Sequence, residues 1–330
     1  MGKSRRAVVT GMGYAVPAKV LTNADFERMV ETSDEWIIQR TGIRERHVVA
    51  DGESTTDLAV DAARKALASA GKSGKDLDLI ICATVSPQML LPSSASMIQA
   101  ALGATDVPAF DLSAACSGFI FALTTGCQFI ENGAAKRVLV IGADCLSRYT
   151  DYKDRGSCIL FGDGAGAVIL EASDAADKGV MYNVLHTDGS GWDFIHIPAG
   201  GSGKAATHAT IDAGDHYIKM RGREVYKFAV EKMQWLLGDC MEQCGLKVAD
   251  IDMVIPHQVN TRIIASAAEK FDLPMDKIYM NIDRYGNTSA ASIPLAMAEA
   301  SSKGLIGPGS TLLLVAFGAG LTWGGSVIRL

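Results

Sequence analysis

The sequence is poor in the features that mark membrane, metal-binding and nucleic-acid-binding proteins. Its 330 residues include six histidines, and the seven cysteines form no C-x-x-C pair. No apolar run approaches the roughly 20 residues that span a bilayer. Acidic residues outnumber Lys plus Arg by 37 to 31, which gives a net charge of −6 and argues against general nucleic-acid binding. We therefore expect no metal, no membrane contact and no nucleic-acid partner.

The cysteines and the first residues indicate a cellular compartment. An odd number of cysteines scattered through apolar segments is typical of a reduced, cytosolic protein rather than of a disulfide framework. The apolar run at Ala7–Thr10 is too short for a secretory signal. These features predict a cytoplasmic protein.

Hydrophobic residues make up 48% of the chain, enough for a large core. Apolar runs predict strands at 77–83 and 138–142, and helical periodicity predicts a helix over 57–70. Alternation of buried strands with helices predicts an α/β fold with mixed sheets covered on both faces. Residues 174–217, rich in glycine and polar residues, are interpreted as a variable bridge.

An internal repeat divides the chain. Asp76–Ile81 recurs as Asp250–Ile255, and Val138–Ile141 recurs as Leu312–Val315, at the same spacing in both cases. Such a repeat predicts two similar halves, residues 1–174 and residues 175–330, packed about a pseudo-twofold axis.

Cys116 is the candidate nucleophile. It follows the strand-like residues 107–112 and precedes an apolar helix, with Ala114, Ala115 and Gly118 leaving room around the sulfur. A thiol on the first turn of a helix faces unsatisfied N–H groups and the positive end of the helix dipole, so we expect a lowered pKa. The alternative is that Cys116 is a small buried apolar residue, as many cysteines are.

Two polar residues of the second half are candidates to act with this thiol. His257 ends the apolar run 252–257, and Asn287 lies in the turn 285–290 before another helix of small residues. Each also has an ordinary explanation, as a satisfied histidine or a capping asparagine. We expect the Asn287 turn to match the Cys116 turn after a short insertion or deletion. The pseudo-twofold axis would then bring the three side chains to one point, as acyl chemistry requires.

Motifs along the whole chain resemble those of the β-ketoacyl-acyl-carrier-protein synthase III family, within the thiolase superfamily. They are TSDEWIIQRTGIRER at 32–46, DLSAACSG at 111–118, DRG at 154–156, FGDGAG at 161–166, PHQVNTR at 256–262, GNTS at 286–289 and FGAGLTWG at 317–324. The resemblance implies the thiolase fold, with duplicated βα units in a five-layered αβαβα sandwich. It implies decarboxylative condensation of a short acyl-CoA with malonyl-acyl-carrier protein, initiating fatty acid synthesis. It further implies a homodimer that uses no cofactor.

The same resemblance assigns roles to individual residues. Cys116 and Ala319 would supply the backbone N–H groups of an oxyanion hole, while His257 and Asn287 would hold the enolate formed when CO2 leaves. The implied CoA and substrate contacts are Trp36, Arg40, Leu91, Arg155, Phe161 and Asn260. The implied contacts with acyl carrier protein are Gln258, Val259, Asn260, Thr261 and Arg262. Leu91 stands where the family often has Phe, so the resemblance does not decide which acyl-CoA primer is preferred.

Other functions compatible with these residues differ in class. A related acyltransferase or condensing enzyme of a secondary, polyketide-type pathway could use the same Cys, His and Asn. A non-catalytic acyl-binding protein would not need all three. A thioesterase would need an Asp or Glu placed to activate water beside Cys116, and the sequence suggests none.

Overall fold

Strands and helices alternate along the chain of this computed structural model, which describes residues 5–175 and 177–330. The strands are β1 Arg6–Ala15, β2 Val20–Thr22, β3 Glu45–His47, β4 Leu79–Ala83, β5 Ala109–Leu112, β6 Arg137–Cys145, β7 Asp163–Ser173, β8 Gly179–Thr187, β9 Ile195–His196, β10 Lys219–Met220, β11 Met253–Pro256, β12 Thr311–Gly318 and β13 Thr322–Arg329. The α-helices are α1 Asn23–Glu27, α2 Asp34–Thr41, α3 Thr55–Ser69, α4 Ser94–Ala101, α5 Gly118–Glu131, α6 His208–Asp212, α7 Gly222–Cys244, α8 Thr261–Lys270, α9 Ile282–Tyr285 and α10 Ser292–Ser302.

Two sheets form the frame of the molecule. The first has the strand order β1-β7-β6-β4-β5, and the second has the order β11-β12-β13-β8. β4 runs parallel to β5 and β6, and β11 runs parallel to β12, while the other neighbours in these two sheets are antiparallel. The chain passes from the first sheet to the second between Ser173 and Gly179.

Helices cover both faces of each sheet. The side chains of β4 alternate between two cores: Leu79 and Ile81 face a central core, while Ile80 faces an outer core that includes α3 and α4. The central core also contains residues of α5, α10 and β12, so these two helices lie between the sheets. α7 and α8 cover the far side of the second sheet. The resulting order of layers is the predicted αβαβα sandwich.

The repeat in the sequence is reproduced in the register of the parallel strands. Leu79 pairs with Val138 in the first sheet, and Met253 pairs with Leu312 in the second. Met253 follows Leu79, and Leu312 follows Val138, at the same sequence spacing that separates the repeated motifs. The two halves therefore use the same strand pairing as well as similar sequence.

The same offset relates the turns that precede the two central helices. These are the 3-10 turns Ala115–Ser117 and Ser289–Ala291, and their first residues share a left-handed φ of 48° and 51°. The expected insertion or deletion between them is therefore wrong. Cys116 corresponds to Ala290, and Asn287 lies three residues before that position.

The described part of the chain contains no helix long and apolar enough to cross a bilayer. Within the same ranges, no group of three or more His, Cys, Asp or Glu side chains is arranged to hold a metal ion. All seven cysteines, which fall within the described residues, are free thiols.

Candidate active site

Cys116, His257 and Asn287 line one cavity of about 260 Å³. Cys116 lies in the turn that follows β5, and His257 follows β11 directly. Asn287 lies between α9 and the turn that begins α10. The fold thus brings together the three side chains that the sequence singled out, at the carboxyl ends of strands, where α/β folds place their ligands.

The other walls of this cavity are mostly apolar. They include Val85, Leu146, Leu160 and Phe161 from the first half and Val225, Phe228, Val259, Phe317 and Leu321 from the second. Such walls keep water away from a bound thioester and strengthen hydrogen bonds to developing charge.

Two short strands close one side of the cavity. β9 pairs with β10 through Ile195 and Met220, and both side chains line the cavity together with Ile197 and Ile218. The interpretation of 174–217 as a bridge missed this contribution. The alternation Ile195-His196-Ile197 is the strand signal that could have revealed it.

Cys116 has a raised thiol pKa, not the lowered one that its place near a helix predicts. Burial raises the pKa to about 12, the neighbouring Ser289 side chain opposes this rise, and the nearby charge of Asp144 adds to it. Cys116 precedes the first residue of α5 by two positions and is half-buried, in the wall of the cavity. Burial is therefore the largest influence on the pKa of this thiol.

The end of β12 packs directly against the nucleophile. A Cβ atom on Gly318 would lie 2.7 Å from the backbone nitrogen of Cys116, so glycine is needed for this close approach. The next residue, Ala319, lines the cavity beside Cys116. The Thr322 hydroxyl lies 3.1 Å from the carbonyl oxygens of both Ala114 and Ala319, which ties the two turns together.

His257 is buried as a neutral imidazole. Its exposed fraction is 1%, and burial lowers its pKa to about 3. Nδ1 lies 2.7 Å from the Ser292 hydroxyl, and the ring meets Phe317 edge to face. A neutral imidazole carries one N–H, and in the tautomer with that proton on Nε2 the Nδ1 atom accepts from Ser292.

Asn287 is held by its backbone and by its side-chain oxygen. Its N–H donates to the carbonyl of Leu160 at 2.9 Å, and its own carbonyl accepts from Gly162 at 3.0 Å. Oδ1 accepts the N–H of Ser289 at 2.9 Å. Because Oδ1 is occupied, the Nδ2 protons are left to donate to a ligand in the cavity.

Asp144 is a buried acidic residue beside the site that sequence reasoning missed. It lies at the end of β6, is fully buried, and accepts hydrogen bonds from Thr84, Val85, Ser86 and Ala290. Ala290 belongs to the second half, so this carboxylate joins the halves behind Cys116. An acidic residue ending the apolar run 138–143 was the available signal.

Trp36, Arg40 and Arg155 form a surface cluster. The guanidinium groups of Arg155 and Arg40 lie 5.2 Å and 5.4 Å from the centre of the Trp36 ring. Asn260 donates to the carbonyl of Arg40 at 2.8 Å, which joins the end of α2 to the start of α8. The neighbouring Val259 lines the cavity, so the cluster is connected to the site.

The predicted carrier-protein segment 258–262 is only partly exposed. Gln258 is 1% exposed, donates to the carbonyls of Pro256 and Tyr279, and accepts from Asn281. The Gln258 side chain is therefore committed to the interior, and its contact with a protein partner stays a prediction.

The other members of this segment differ in exposure. Val259 faces the cavity, and Thr261 packs against Gly42. Arg262 is exposed, with its guanidinium 5.9 Å from the centre of the Tyr226 ring. Leu91 is 85% exposed and lies outside the lining of the cavity of its own chain.

Comparison with known proteins identifies the family. A model of 3-oxoacyl-[acyl-carrier-protein] synthase III matches residues 110–189, and the model of its C-terminal part matches residues 241–330. The β-ketoacyl-[acyl-carrier-protein] synthase III of Caldanaerobacter subterraneus subsp. tengcongensis is 50% identical over 98% of this chain and 97% of that protein. The chain belongs to the β-ketoacyl-acyl-carrier-protein synthase III family.

Solved structures of synthase III enzymes share the fold. The crystal structure of the enzyme from Aquifex aeolicus VF5 is 45% identical, with a TM-score of 0.90 and coverage of 98% of this chain and 100% of that one. The priming β-ketosynthase of the R1128 polyketide pathway is 31% identical, with a TM-score of 0.91 and coverage of 100% and 98%. The predicted family, fold class and activity, an acyl-transferring condensing enzyme that initiates fatty acid synthesis, are confirmed.

Proposed function

We propose that Cys116, His257 and Asn287 catalyse condensation of a short acyl-CoA primer with malonyl-acyl-carrier protein. The products are 3-oxoacyl-carrier protein, CoA and CO2. The observation that carries this proposal is the convergence of the three side chains, from both halves of the chain, in one apolar cavity.

The first half-reaction acylates Cys116. Its sulfur attacks the thioester carbonyl, and the N–H groups of Cys116 and Ala319 hold the oxyanion until CoA leaves. The close packing of Gly318 on Cys116 supports this role, because it places the Ala319 turn beside the reacting sulfur. Loss of one such donor typically costs about 3 kcal/mol in the transition state.

The second half-reaction forms the new carbon–carbon bond. The malonyl thioester loses CO2, and His257 Nε2 and Asn287 Nδ2 donate to the enolate oxygen. The enolate carbon attacks the acyl carbonyl on Cys116, whose sulfur is then released. The hydrogen bonds on His257 Nδ1 and Asn287 Oδ1 support these roles, because they leave the opposite nitrogen of each side chain free to donate.

The surface cluster supplies the CoA contacts in this proposal. Adenine would insert between Trp36 and Arg155, which lie on one surface 5.2 Å apart and would have to separate to admit its ring. Arg40 would meet a phosphate, and Asn260 would meet the pantetheine arm on its way to the cavity.

Acyl carrier protein would dock at the exposed basic side chains beside the cavity. Arg223 and Lys227 are exposed on α7, and Val225 and Phe228 of the same turns line the cavity. Arg262 lies against Tyr226 of α7, so the three basic side chains belong to one surface. Positive charge at this surface would attract an anionic carrier despite the net charge of −6.

We also propose a cytoplasmic homodimer that uses no cofactor. Leu90 and Leu91 are 87% and 85% exposed in the single chain, and a second copy would cover them. Leu91 of one copy would then reach the acyl pocket of the other, where Phe161 forms part of the wall. Replacement of the family's frequent Phe by Leu would leave more room for the primer.

A polyketide-type priming role is the second candidate. It is favoured by the fold shared with the R1128 ketosynthase, but the identity to that protein is 31%, against 50% to the Caldanaerobacter enzyme. Incubation with radiolabelled acyl-CoAs, with and without malonyl-carrier protein, tests the proposal. Labelled 3-oxoacyl-carrier protein from acetyl-CoA or a short branched primer is expected. Acylation without condensation, or hydrolysis alone, would contradict it.

A further inference from the structure

Glu299 is a buried carboxylate to which the proposed reaction gives no role. It lies on α10, is 3% exposed, and stands outside the lining of the cavity. Burial by itself would raise its pKa, but hydrogen bonds from Arg284, Asn281 and Lys303 lower the pKa to about 2, so the side chain is an anion at neutral pH. An ionised carboxylate in the interior needs several donors, and the positions of these donors indicate what Glu299 does.

The first set of contacts fixes the short helix α9, which leads to Asn287. Arg284 donates to both carboxylate oxygens of Glu299, with Nη2 3.1 Å from Oε2, and the Tyr285 hydroxyl donates to Oε1 at 3.2 Å. Tyr285 is the last residue of α9, and Asn287 follows it by two positions. The carboxylate therefore holds the end of α9 from which the Asn287 turn begins.

The second set of contacts reaches the residues beside His257. Asn281 Nδ2 donates to Glu299 Oε2 at 2.8 Å, and the Asn281 backbone N–H donates to Gln258 Oε1 at 3.0 Å. Gln258 Nε2 then donates to the carbonyl of Pro256 at 2.9 Å. Asn281 and Gln258 are each 1% exposed, so these bonds are shielded from water. The three hydrogen bonds lead from Glu299 to both neighbours of His257 in the chain.

A third contact comes from the same face of α10. Ser292 lies seven residues before Glu299, which is about two helical turns, so the two side chains leave the helix in similar directions. The Ser292 hydroxyl lies 2.7 Å from His257 Nδ1. α10 is buried from Ser292 to Ala300, so it forms a fixed support for the polar side chains around it.

We propose that Glu299 is a positioning residue that holds the His257 and Asn287 donors in place for the enolate, an inference that rests on the proposed roles of these two side chains. It acts on His257 through the two buried amides and on Asn287 through α9. The two donors stand on separate segments of the chain, and misplacement by about 1 Å can cost about 10²-fold in rate. A common anchor on α10 fixes both segments relative to each other.

Only one of the two half-reactions should depend on this anchor. In the proposed mechanism, the oxyanion of acylation is held by the backbone N–H groups of Cys116 and Ala319, on the turns after β5 and β12. The contacts of Glu299 with Asn281 and α9 lead instead to the donors of the decarboxylation step. An ion pair that merely stabilised the fold would affect both half-reactions alike.

Glu299→Gln tests the proposal, with Lys303→Met as its matched control. Glu299→Gln keeps the shape of the side chain, but it removes the charge and replaces one acceptor oxygen by an NH2 group, so a donor on α9 or at Asn281 loses its partner. Release of labelled CO2 from malonyl-carrier protein should slow by about 10- to 10²-fold, with an unchanged KM for that substrate. Transfer of label from acetyl-CoA to Cys116 should stay near the wild-type rate.

Lys303→Met removes a charge from the same cluster but leaves α9 and Asn281 in place. Lys303 Nζ lies 3.1 Å from Glu299 Oε1, and the lysine side chain is 46% exposed. Both half-reactions should stay near their wild-type rates in this variant, because the bonds that lead to His257 and Asn287 remain.

Asn281→Ala tests one of the two routes alone. It removes the amide that links Glu299 to Gln258, while Arg284 keeps its ion pair with the carboxylate. Decarboxylation should slow and acylation should not. This variant decides the question if near-UV circular dichroism shows that Glu299→Gln does not fold. The loss in the double variant should be smaller than the product of the two single losses, because both changes act on one network.

Three results would overturn the positioning role. They are wild-type decarboxylation in a folded Glu299→Gln protein, equal loss of both half-reactions in that variant, and a loss of decarboxylation in Lys303→Met as large as in Glu299→Gln. Failure of the wild-type protein to release CO2 from malonyl-carrier protein would instead refute the proposed function, so the two failures are distinguishable.

Discussion

Removal of the Asn287 amide should separate the two half-reactions. Asn287 and His257 are 4% and 1% exposed in a cavity with mostly apolar walls, where a hydrogen bond to an anion is weakly screened. Loss of one buried donor to a developing oxyanion typically costs about 3 kcal/mol, which is about 10²- to 10³-fold in rate. Asn287→Ala should therefore slow decarboxylation of malonyl-carrier protein by that factor.

The rate of Cys116 acylation should stay unchanged in Asn287→Ala, because the oxyanion donors in that step are the backbone N–H groups of Cys116 and Ala319. Asn287→Asp sharpens the test: it keeps the oxygen that accepts from Ser289, but it places a carboxylate oxygen where the enolate needs a donor. Decarboxylation should fall further in Asn287→Asp than in Asn287→Ala.

The assay follows two labels in the same protein preparations. Release of labelled CO2 from malonyl-carrier protein reports decarboxylation, and label retained on Cys116 from acetyl-CoA reports acylation. Equal loss of both activities in Asn287→Ala would refute the division of labour between the backbone donors and the two side chains.

Three further changes test the entrance, the carrier surface and the buried histidine. Trp36→Ala removes the ring beneath Arg155, so the KM for acetyl-CoA should rise about tenfold or more with little change in kcat, as measured by initial rates. Arg262→Glu should raise the KM for malonyl-carrier protein but not for acetyl-CoA, and the difference from wild type should shrink at high salt. Burial lowers the His257 pKa to about 3 from 6.5, so between these pH values the unfolded chain binds a proton that the folded chain does not. The free energy of unfolding should therefore fall as the pH drops below 6.5, by up to about 1.4 kcal/mol per pH unit from this group, and His257→Gln should remove that part of the slope in urea titrations.

Each of these predictions has a result that contradicts it. An unchanged KM for acetyl-CoA in Trp36→Ala would place the adenine elsewhere. A change in both KM values in Arg262→Glu would mean that this residue serves CoA as well as the carrier. An identical pH dependence of stability in wild type and His257→Gln would show that the imidazole does not stay neutral in the fold.

Local sequence patterns predicted the architecture well where burial and repetition both act. The uninterrupted apolar run that includes β4 requires both faces to be covered, and the structure divides its side chains between two cores. The constant offset of the repeat predicted two similar halves, and the register shows the same parallel pairing in both sheets. The site residues Cys116, His257 and Asn287 could be selected because polar side chains at strand and helix ends stand out against apolar surroundings.

Properties that depend on tertiary surroundings could not be predicted from the sequence. The thiol pKa of Cys116 is governed by desolvation, which local helix position does not report. Gln258 looks like a surface residue in a polar segment, but its amide satisfies buried carbonyls, one of which a distant segment contributes. Ser289 and Asp144 belong to different halves of the chain, and only the packing of the two halves brings both to Cys116.

Mass spectrometry of the protein after successive addition of acetyl-CoA and malonyl-carrier protein tests the central claim most directly. The convergence of the three side chains predicts an acetyl group on the Cys116 peptide after the first addition. The second addition should remove it, with 3-oxobutyryl-carrier protein as product. An acetyl group on another residue, or a Cys116 adduct that malonyl-carrier protein fails to consume, would contradict the claim.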